Sequence, residues 1–453
     1  MLVNRHRLYN ILNCVRSQSP ISFINANSKI ELARKREFDK QELDTETPTA
    51  LKRIIKYAKD TVPFYQELWQ QAGVDLNRIN TIDDLQQLPT ISRNDLQQQP
   101  QSSLISKEAQ QASLCSTSGT TTTPRVFLKD KTSRIHNHIT ALRHFADYQI
   151  PVGFTTLFVH SKPNQPISYE FRANEFLSCR IYVSIFDLLS DPRLTSYLNP
   201  DVIAGSPQIL ETIAQQIHFS RYGRSLKVFV SFAERLDDST RKRIEQNTGI
   251  EVCDVYCSSE VSTLIGFECR QHSGFHINSD YVIVEVLNSE GKQAFNGESG
   301  EVVITDLCNF VSPVIRYRLG YIATASSSTT CGCGRALPVS ISRIDGRVTD
   351  KIYIDGGRAF SAISLIDNLQ TVTAHPITLI QQTSSSFVLK VYTSESFNIP
   401  QDQIEQVFSQ HLGFQPDIDI CFEQLPYALR RNQGKIRSFY SQIIKNENAV
   451  PGH

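Results

Sequence analysis

The sequence predicts an α/β protein: a large N-terminal domain of α/β sheets with an added β region, followed by a small α+β C-terminal domain. Three observations carry this. From Ser113 onward, short β-branched or aromatic runs (TTLFVHS, LKVFVSF, YVIVEVL, EVVITDL) alternate with helical stretches and Gly/Pro/Asn/Asp turns. The first hundred or so residues lack such runs and are rich in Gln, Asn, Lys and Glu. After IDGRVTDKIYIDGGRAF a helical stretch again leads into paired strands, so a new unit begins there.

Taken in order, residues 1–110 read as a helical lead-in, because Thr49 to Ala72 and Ser92 to Gln111 carry apolar residues at helical spacing. The α/β body follows, and Asn288 to Gly291 and Asn296 to Gly300 have the composition of turns in an antiparallel β region. The large domain is expected to span residues 1–347 and the small mobile one 348–453, where the helical segment Ser361 to Thr371 precedes the strands ITLIQQT and FVLKVYT. A chain of 453 residues exceeds what one hydrophobic core usually serves, which agrees with this division.

Acidic and basic residues balance at 46 each, which argues against a broad footprint for nucleic acid or an anionic membrane surface. No apolar run is long enough to span a bilayer and the N-terminus has no continuous apolar region, so a cytoplasmic location is expected. Ten irregularly spaced cysteines then read as thiols or metal ligands rather than disulfides.

The strongest local signal is Ser116-Thr-Ser-Gly-Thr-Thr-Thr-Thr-Pro124-Arg125, a hydroxyl-rich loop with one glycine. Hydroxyls and free backbone N–H groups in a turn suit phosphate oxygens. A Walker loop is absent. Further along stand Tyr256-Cys-Ser-Ser-Glu260, Gly300-Glu-Val-Val-Ile-Thr305, Ile315-Arg-Tyr-Arg-Leu-Gly-Tyr321, Cys331-Gly-Cys-Gly-Arg335, Gly346-Arg-Val-Thr-Asp350 and Gly434-Lys435. Upstream are Val62-Pro-Phe-Tyr65 and the segment Leu88 to Leu96.

This ordered set resembles the adenylate-forming superfamily, in its phenylacetate–CoA ligase and coenzyme F390 synthetase-like branch, over roughly Leu51 to Phe439. The resemblance implies ATP-dependent activation of a carboxylic acid to acyl-AMP with release of pyrophosphate, then transfer to a thiol, coenzyme A. It places Ser116, Thr117, Ser118, Gly119, Thr120 and Thr121 at the ATP phosphates, with Ala233, Glu234, Ser258 and Ser259 around the nucleotide. Glu260 would hold Mg²⁺, a cation that prefers hard oxygen ligands. Tyr256 would pack on adenine beside Asp254, and Arg347 would reach the ribose or phosphate. Lys435 would bridge carboxylate and α-phosphate, a task suited to its compact charge.

Three positions depart from the pattern. Thr122 replaces a second loop glycine, Thr349 replaces a hinge aspartate, and Tyr321 stands where an aspartate accepts hydrogen bonds from both ribose hydroxyls. A phenol makes one such bond, not a bidentate pair, so weakened ribose recognition is expected.

Cys331 and Cys333 supply two thiolates in a tight turn, and Cys269 lies beside His272 and His276. Three thiolates and one imidazole complete a tetrahedral zinc site, while the spacing alone equally fits scattered reduced cysteines. Some members of the resembled branch carry zinc at these elements, which favours Cys269, His276, Cys331 and Cys333, with His272 as the alternative ligand. The expected cofactors and partners are thus ATP, Mg²⁺, structural Zn²⁺, a small carboxylic acid, and coenzyme A or a carrier protein, with a homodimer possible by family analogy. Two other readings remain open: transfer to an amine or carrier protein, and a catalytically silent fold that only binds.

Overall fold

The computed structural model describes residues 35–109, 113–116, 126–150, 154–172, 178–219, 225–328, 331–355, 358–393, 400–425, 429 and 437–443. The lead-in forms helix α1 (Lys40–Thr61), started by the Asp39 carboxylate, which accepts the Glu42 N–H at 3.0 Å, and α2 (Pro63–Gln71), where Pro63 occupies the first turn. Leu43, Leu51, Ile54, Ile55 and Ala58 form the buried stripe of α1, at the expected helical period. The second expected helix shrinks to Arg93–Gln97 plus a single 3₁₀ turn at Gln101–Leu104. Pro100 explains the break, since it lacks the N–H a continuing helix needs.

A short hairpin, β1 (Ser113–Ser116) with β2 (Val126–Lys129), flanks the hydroxyl-rich loop and leads into α3 (Lys131–Arg143). The next strands are parallel apart from an edge: β3 (Thr155–His160), β4 (Ser168–Arg172, antiparallel), β5 (Ser178–Ser184), β6 (Val202–Gly205), β7 (Val228–Ser231) and β8 (Val252–Tyr256). Helices α4 (Pro207–Gln216) and α5 (Asp238–Thr248) serve as crossovers in this half. Strands β6, β7 and β8 are buried at every residue, as parallel strands covered on both faces must be.

The antiparallel half comprises β9 (Gly266–Glu268), β10 (Phe275–Ile277), β11 (Val282–Leu287), β12 (Ser299–Asp306), β13 (Tyr317–Ser328) and β14 (Val339–Arg347). The sequence suggested separate sheets plus a β region, but the halves join into one twelve-stranded sheet, in the order β11-β12-β13-β14-β10-β9-β8-β7-β6-β3-β5-β4. Strand β8 is the seam. Its first residues pair in parallel with β7 (Ser231 opposite Asp254), and its last two pair antiparallel with β9 (Tyr256 opposite Gly266). Gly300 shows why the β12 motif demands glycine: a Cβ there would stand 2.5 Å from the Leu287 carbonyl oxygen of the neighbouring strand.

Beyond β14, the small hairpin β15 (Lys351–Tyr353) and β16 (Ala359–Ser361) leads into α6 (Ala362–Thr373), β17 (Ile377–Gln381), β18 (Ser386–Tyr392), α7 (Gln401–Leu412), β19 (Asp417–Glu423) and β20 (Phe439–Ser441). The sheet order is β19-β18-β17-β20, and its own core gathers Leu365, Leu369, Leu379, Phe387, Leu389 and Phe408. Tyr392, Leu425 and Leu429 instead join the core around β3, β5 and α4, so this unit is docked on the large sheet.

Candidate functional site

Ligands of open parallel sheets bind beyond the carboxyl ends of the strands, and the seam at β8 is where such a crevice opens here. A cavity of about 500 Å³ lies there. Its floor is Ala233, Glu234 and Arg235 after β7, Asp254, Tyr256 and Cys257 of β8 and the following turn, and Phe275 of β10. One wall is Tyr321 of β13 with Ser342 to Arg347 of β14. Its roof is the C-terminal unit, through Ile363, Ile366, Asp367, Gln370 and Thr371 of α6 and through Arg437 to Phe439. Those α6 positions fall at i, i+3, i+4, i+7 and i+8, one face of the helix.

A buried polar atom without a partner points to a polar occupant. Tyr256 Oη is buried and makes no hydrogen bond, and the buried Asp254 carboxyl has the Ser231 hydroxyl beside it. Burial, then the neighbouring Glu268, pushes the Asp254 carboxyl well above the usual carboxylate range. Burial opposes charge on Glu268 as well, but His272 and Arg241 outweigh it and hold that carboxyl below its ordinary value. The Arg241 guanidinium reaches Glu268 at 2.6 Å, and the Asp254 N–H donates to the same carboxylate at 3.1 Å. The two carboxyls are thus pushed in opposite directions, Asp254 up and Glu268 down.

Tyr321 and Arg347 are register partners on β13 and β14, and the guanidinium stands over the phenol ring, 5.5 Å from its centroid. Tyr321 also meets the edge of Tyr256, with ring centroids 6.5 Å apart. Gly346 has a φ of +133°, a conformation that residues with a Cβ rarely adopt, and it packs closely under the Ile363 side chain of the roof. Ala233 holds a left-handed φ of 71° that is unusual for a residue with a Cβ.

Of the residues singled out in the sequence, Ala233, Glu234, Asp254, Tyr256, Tyr321 and Arg347 converge on this cavity. Ser258, Ser259 and Glu260 do not line it. They form the turn beyond β8, where the Ser258 hydroxyl donates to the Glu260 carboxylate. Lys129, at the end of the hairpin whose Ser116 and Val126 face each other across the loop stem, donates to the Val261 carbonyl oxygen at 2.5 Å. The stem of the hydroxyl-rich loop is thereby tied to the Glu260 turn. Thr117, Ser118, Gly119, Thr120, Thr121, Thr122 and Lys435 lie outside the described residues.

A second constellation sits behind the sheet seam. The ligand atoms of Cys269, His276, Cys331 and Cys333 all lie within 4.8 Å of one another. His276 Nδ1 lies 2.9 Å from the Leu337 carbonyl oxygen, a bond that puts the proton on Nδ1 and leaves Nε2, 3.3 Å from Cys333 Sγ, as the free lone pair. His272, the alternative fourth ligand, turns elsewhere, to Glu268 and Arg241. Among the described residues, His136 of α3 belongs to no such group.

Sequence reading missed Arg235, Arg241, Glu268 and Asp367. They belong to no motif, and only the helical spacing of Ile363, Ile366, Asp367 and Gln370 hinted that one face of α6 was polar at one point and apolar elsewhere. It also gave Arg316 no role. That side chain is buried and binds Glu285 through two hydrogen bonds of 3.0 and 2.8 Å while donating to the Leu88 carbonyl, so the first arginine of the IRYR motif ties the lead-in to the sheet.

No protein-family model matches the chain. It is similar to a phenylacetate–coenzyme A ligase of Thermus thermophilus, 25% identical over 371 residues that cover 77% of this chain and 80% of the relative. The Escherichia coli phenylacetate–coenzyme A ligase is 26% identical over 320 residues, covering 68% and 72%. Among solved structures, 2-hydroxyisobutyryl-CoA ligase in its postadenylation state superimposes with a TM-score of 0.72 over 90% of this chain and 91% of the other, at 17% identity. The chain is therefore a relative of the phenylacetate–coenzyme A ligases and has the fold of the adenylate-forming superfamily.

Proposed function

We propose that this protein activates a carboxylic acid with ATP to an acyl-AMP and passes the acyl group to coenzyme A. The observation that carries the reading is the cavity at the end of β8, where Asp254, Tyr256, Tyr321 and Arg347 meet under a separate unit. Its buried polar groups fit a nucleotide. In its neutral form Asp254 offers one O–H donor and one acceptor, the complement of an adenine edge, and the Tyr256 ring gives the base a flat apolar surface. Tyr321 and Arg347 then face the ribose, with one phenol oxygen in place of a carboxylate.

The chemistry is in-line attack of the substrate carboxylate on the α-phosphorus, with pyrophosphate leaving. Positioning and charge neutralisation suffice for it. The hydroxyl-rich loop, its stem held beside the Glu260 turn, would cradle the phosphates; Glu260 would hold Mg²⁺, and Lys435 would neutralise charge at phosphorus. The acid would lie beside the rings of β3, β5 and the turn after β7, where Phe158 stacks on Tyr182 at 5.4 Å and meets Phe232 at 6.1 Å, which suits an acid with an aromatic or medium-length body. The turn at Thr349 and Asp350 would be the hinge between residues 1–347 and 348–453, letting the small unit swing away for the thiol.

Cys269, His276, Cys331 and Cys333 would hold a structural Zn²⁺: a closed S₃N donor set with its imidazole already oriented. The protein is read as cytoplasmic; no helix among the described residues is long and apolar enough to cross a membrane. A pyrophosphate-release assay over carboxylic acids, with and without coenzyme A, tests the reading. Acid-dependent release with thioester formation is expected, and release without thioester would instead favour transfer to an amine or carrier protein.

A further inference from the structure

Two charged residues that no motif contains face each other across the cavity. Arg235 Nη1 and Nη2 donate to Asp367 Oδ1 and Oδ2 at 2.6 and 2.9 Å, a two-pronged pair between the floor after β7 and the roof helix α6. The side chains are 21% and 30% exposed, so the pair is partly desolvated and worth more than a surface contact. Asp367 keeps the Arg235 guanidinium charged in spite of its burial.

Arg235 is also not spent. Its Nε is buried and has no hydrogen-bond partner, in a side chain that lines the cavity. Arg235 lines the cavity while its two terminal nitrogens hold the roof, so one side chain couples the two. An occupant that adds negative charge nearby steadies Arg235 in the rotamer that grips Asp367.

We infer that Arg235 and Asp367 are positioning residues that form a latch, holding the C-terminal unit closed over the nucleotide during adenylation and opening for the acyl-transfer step. The inference rests on the adenylation reading for its kinetic consequence, but not for its mechanical one. The hinge side carries a different contact: Arg437 binds Asp350 at 2.7 Å, with both partners in the segment after β14, so this pair can travel with the small unit. The Arg235–Asp367 pair cannot, because one partner belongs to the large sheet. Any rotation of the roof about Thr349–Asp350 must break it. Rotation must also uncover Leu425, Leu429 and Tyr392, which favours the closed form, so the latch adds direction to an apolar seal that is already present.

The test uses the full chain with Asp367→Asn, Arg235→Met and the exchanged double variant R235D/D367R. Small-angle scattering with and without ATP·Mg²⁺ reads closure directly, whether or not an acid substrate has been found. Both single variants are expected to populate an expanded form that ATP no longer closes, and to bind ATP about tenfold more weakly. The exchanged variant is expected to recover closure. In single-turnover assays, acyl-AMP formation is expected to fall about tenfold while thioester formation from supplied acyl-AMP stays within twofold of the parent, a split that general destabilisation does not produce. Single variants that close on ATP like the parent, or that lose both half-reactions equally, overturn the latch. A parent that releases no pyrophosphate with any acid overturns the adenylation reading and leaves the scattering result to decide the latch alone.

Discussion

Tyr321 is the position where chemistry and family pattern part. If the site holds a ribose as proposed, a phenol beside Arg347 would make one hydrogen bond to it where a carboxylate would make two, and hydrogen bonds to charged groups contribute roughly 1.5–3 kcal/mol each. Tyr321→Asp is therefore expected to tighten ATP binding about tenfold in isothermal titration, with Arg347 supplying the counter-charge. An unchanged affinity means that the ribose is read elsewhere. His144 gives a pH signature. Burial, helped by the charge of Arg335, lowers its imidazole pKa to about 3, and neither ring nitrogen has a partner. The unfolded chain, with an ordinary histidine near 6.5, binds the extra proton first, so this contribution is complete above pH 6.5 and is lost as the pH falls towards 3. His144→Leu is expected to remove up to about 1.4 kcal/mol per pH unit from the slope of unfolding free energy between pH 6 and 4. Denaturant melts at the two pH values measure this, and an unchanged slope contradicts it.

At the scale of elements, the Cys331–Cys333 turn and the Cys269–His276 segment are joined only by side chains if no metal sits between them, yet their ligand atoms already converge. Protein purified without added metal is expected to contain about one zinc per chain, and Cys333→Ser to lose it together with several degrees of thermal stability. Metal analysis and a thermal melt check both. The lead-in is fixed by a buried charge cluster. Arg143 donates to Asp280 through both terminal nitrogens at 2.8 Å, and Arg335 binds Asp147 at 3.0 Å with Glu37 alongside. Asp280→Ala strands a guanidinium in the interior, which is expected to cost about 3–5 kcal/mol in chemical unfolding. Much of this scale was legible: the β8 turn, the GRVTD segment and the CGC turn announce themselves through local composition, because glycine, cysteine and hydroxyl residues have uses that neighbours in sequence reveal. The charge cluster was not, since Arg143, Asp280 and Glu37 are far apart in sequence and each alone resembles an exposed charge. The Ser92 to Gln111 segment misled for the opposite reason. Its apolar spacing is helical, but Pro100 interrupts the segment and no continuous helix runs through it.

For the whole molecule, the alternation of strands and helices foretold an α/β body and the restart after Arg347 foretold a second packed unit, but not that β8 would pair in parallel on one side and antiparallel on the other. That seam is a tertiary outcome: five residues of buried strand carry no mark of which neighbour each will find. It matters because it opens the cavity, and because the roof over that cavity comes from residues more than a hundred positions later in the chain. Asp254, Tyr256 and Tyr321 could be named from the sequence; Glu268 and Arg241 beside Asp254, and the Arg235–Asp367 pair across the cavity, could not. The account stands or falls on whether this cavity activates acids. The most direct measurement is continuous pyrophosphate release from the full chain with ATP·Mg²⁺ across a panel of aromatic and medium-length carboxylic acids. The predicted result is release that depends on the acid and yields a thioester once coenzyme A is added; a chain that binds ATP yet releases no pyrophosphate with any acid contradicts it.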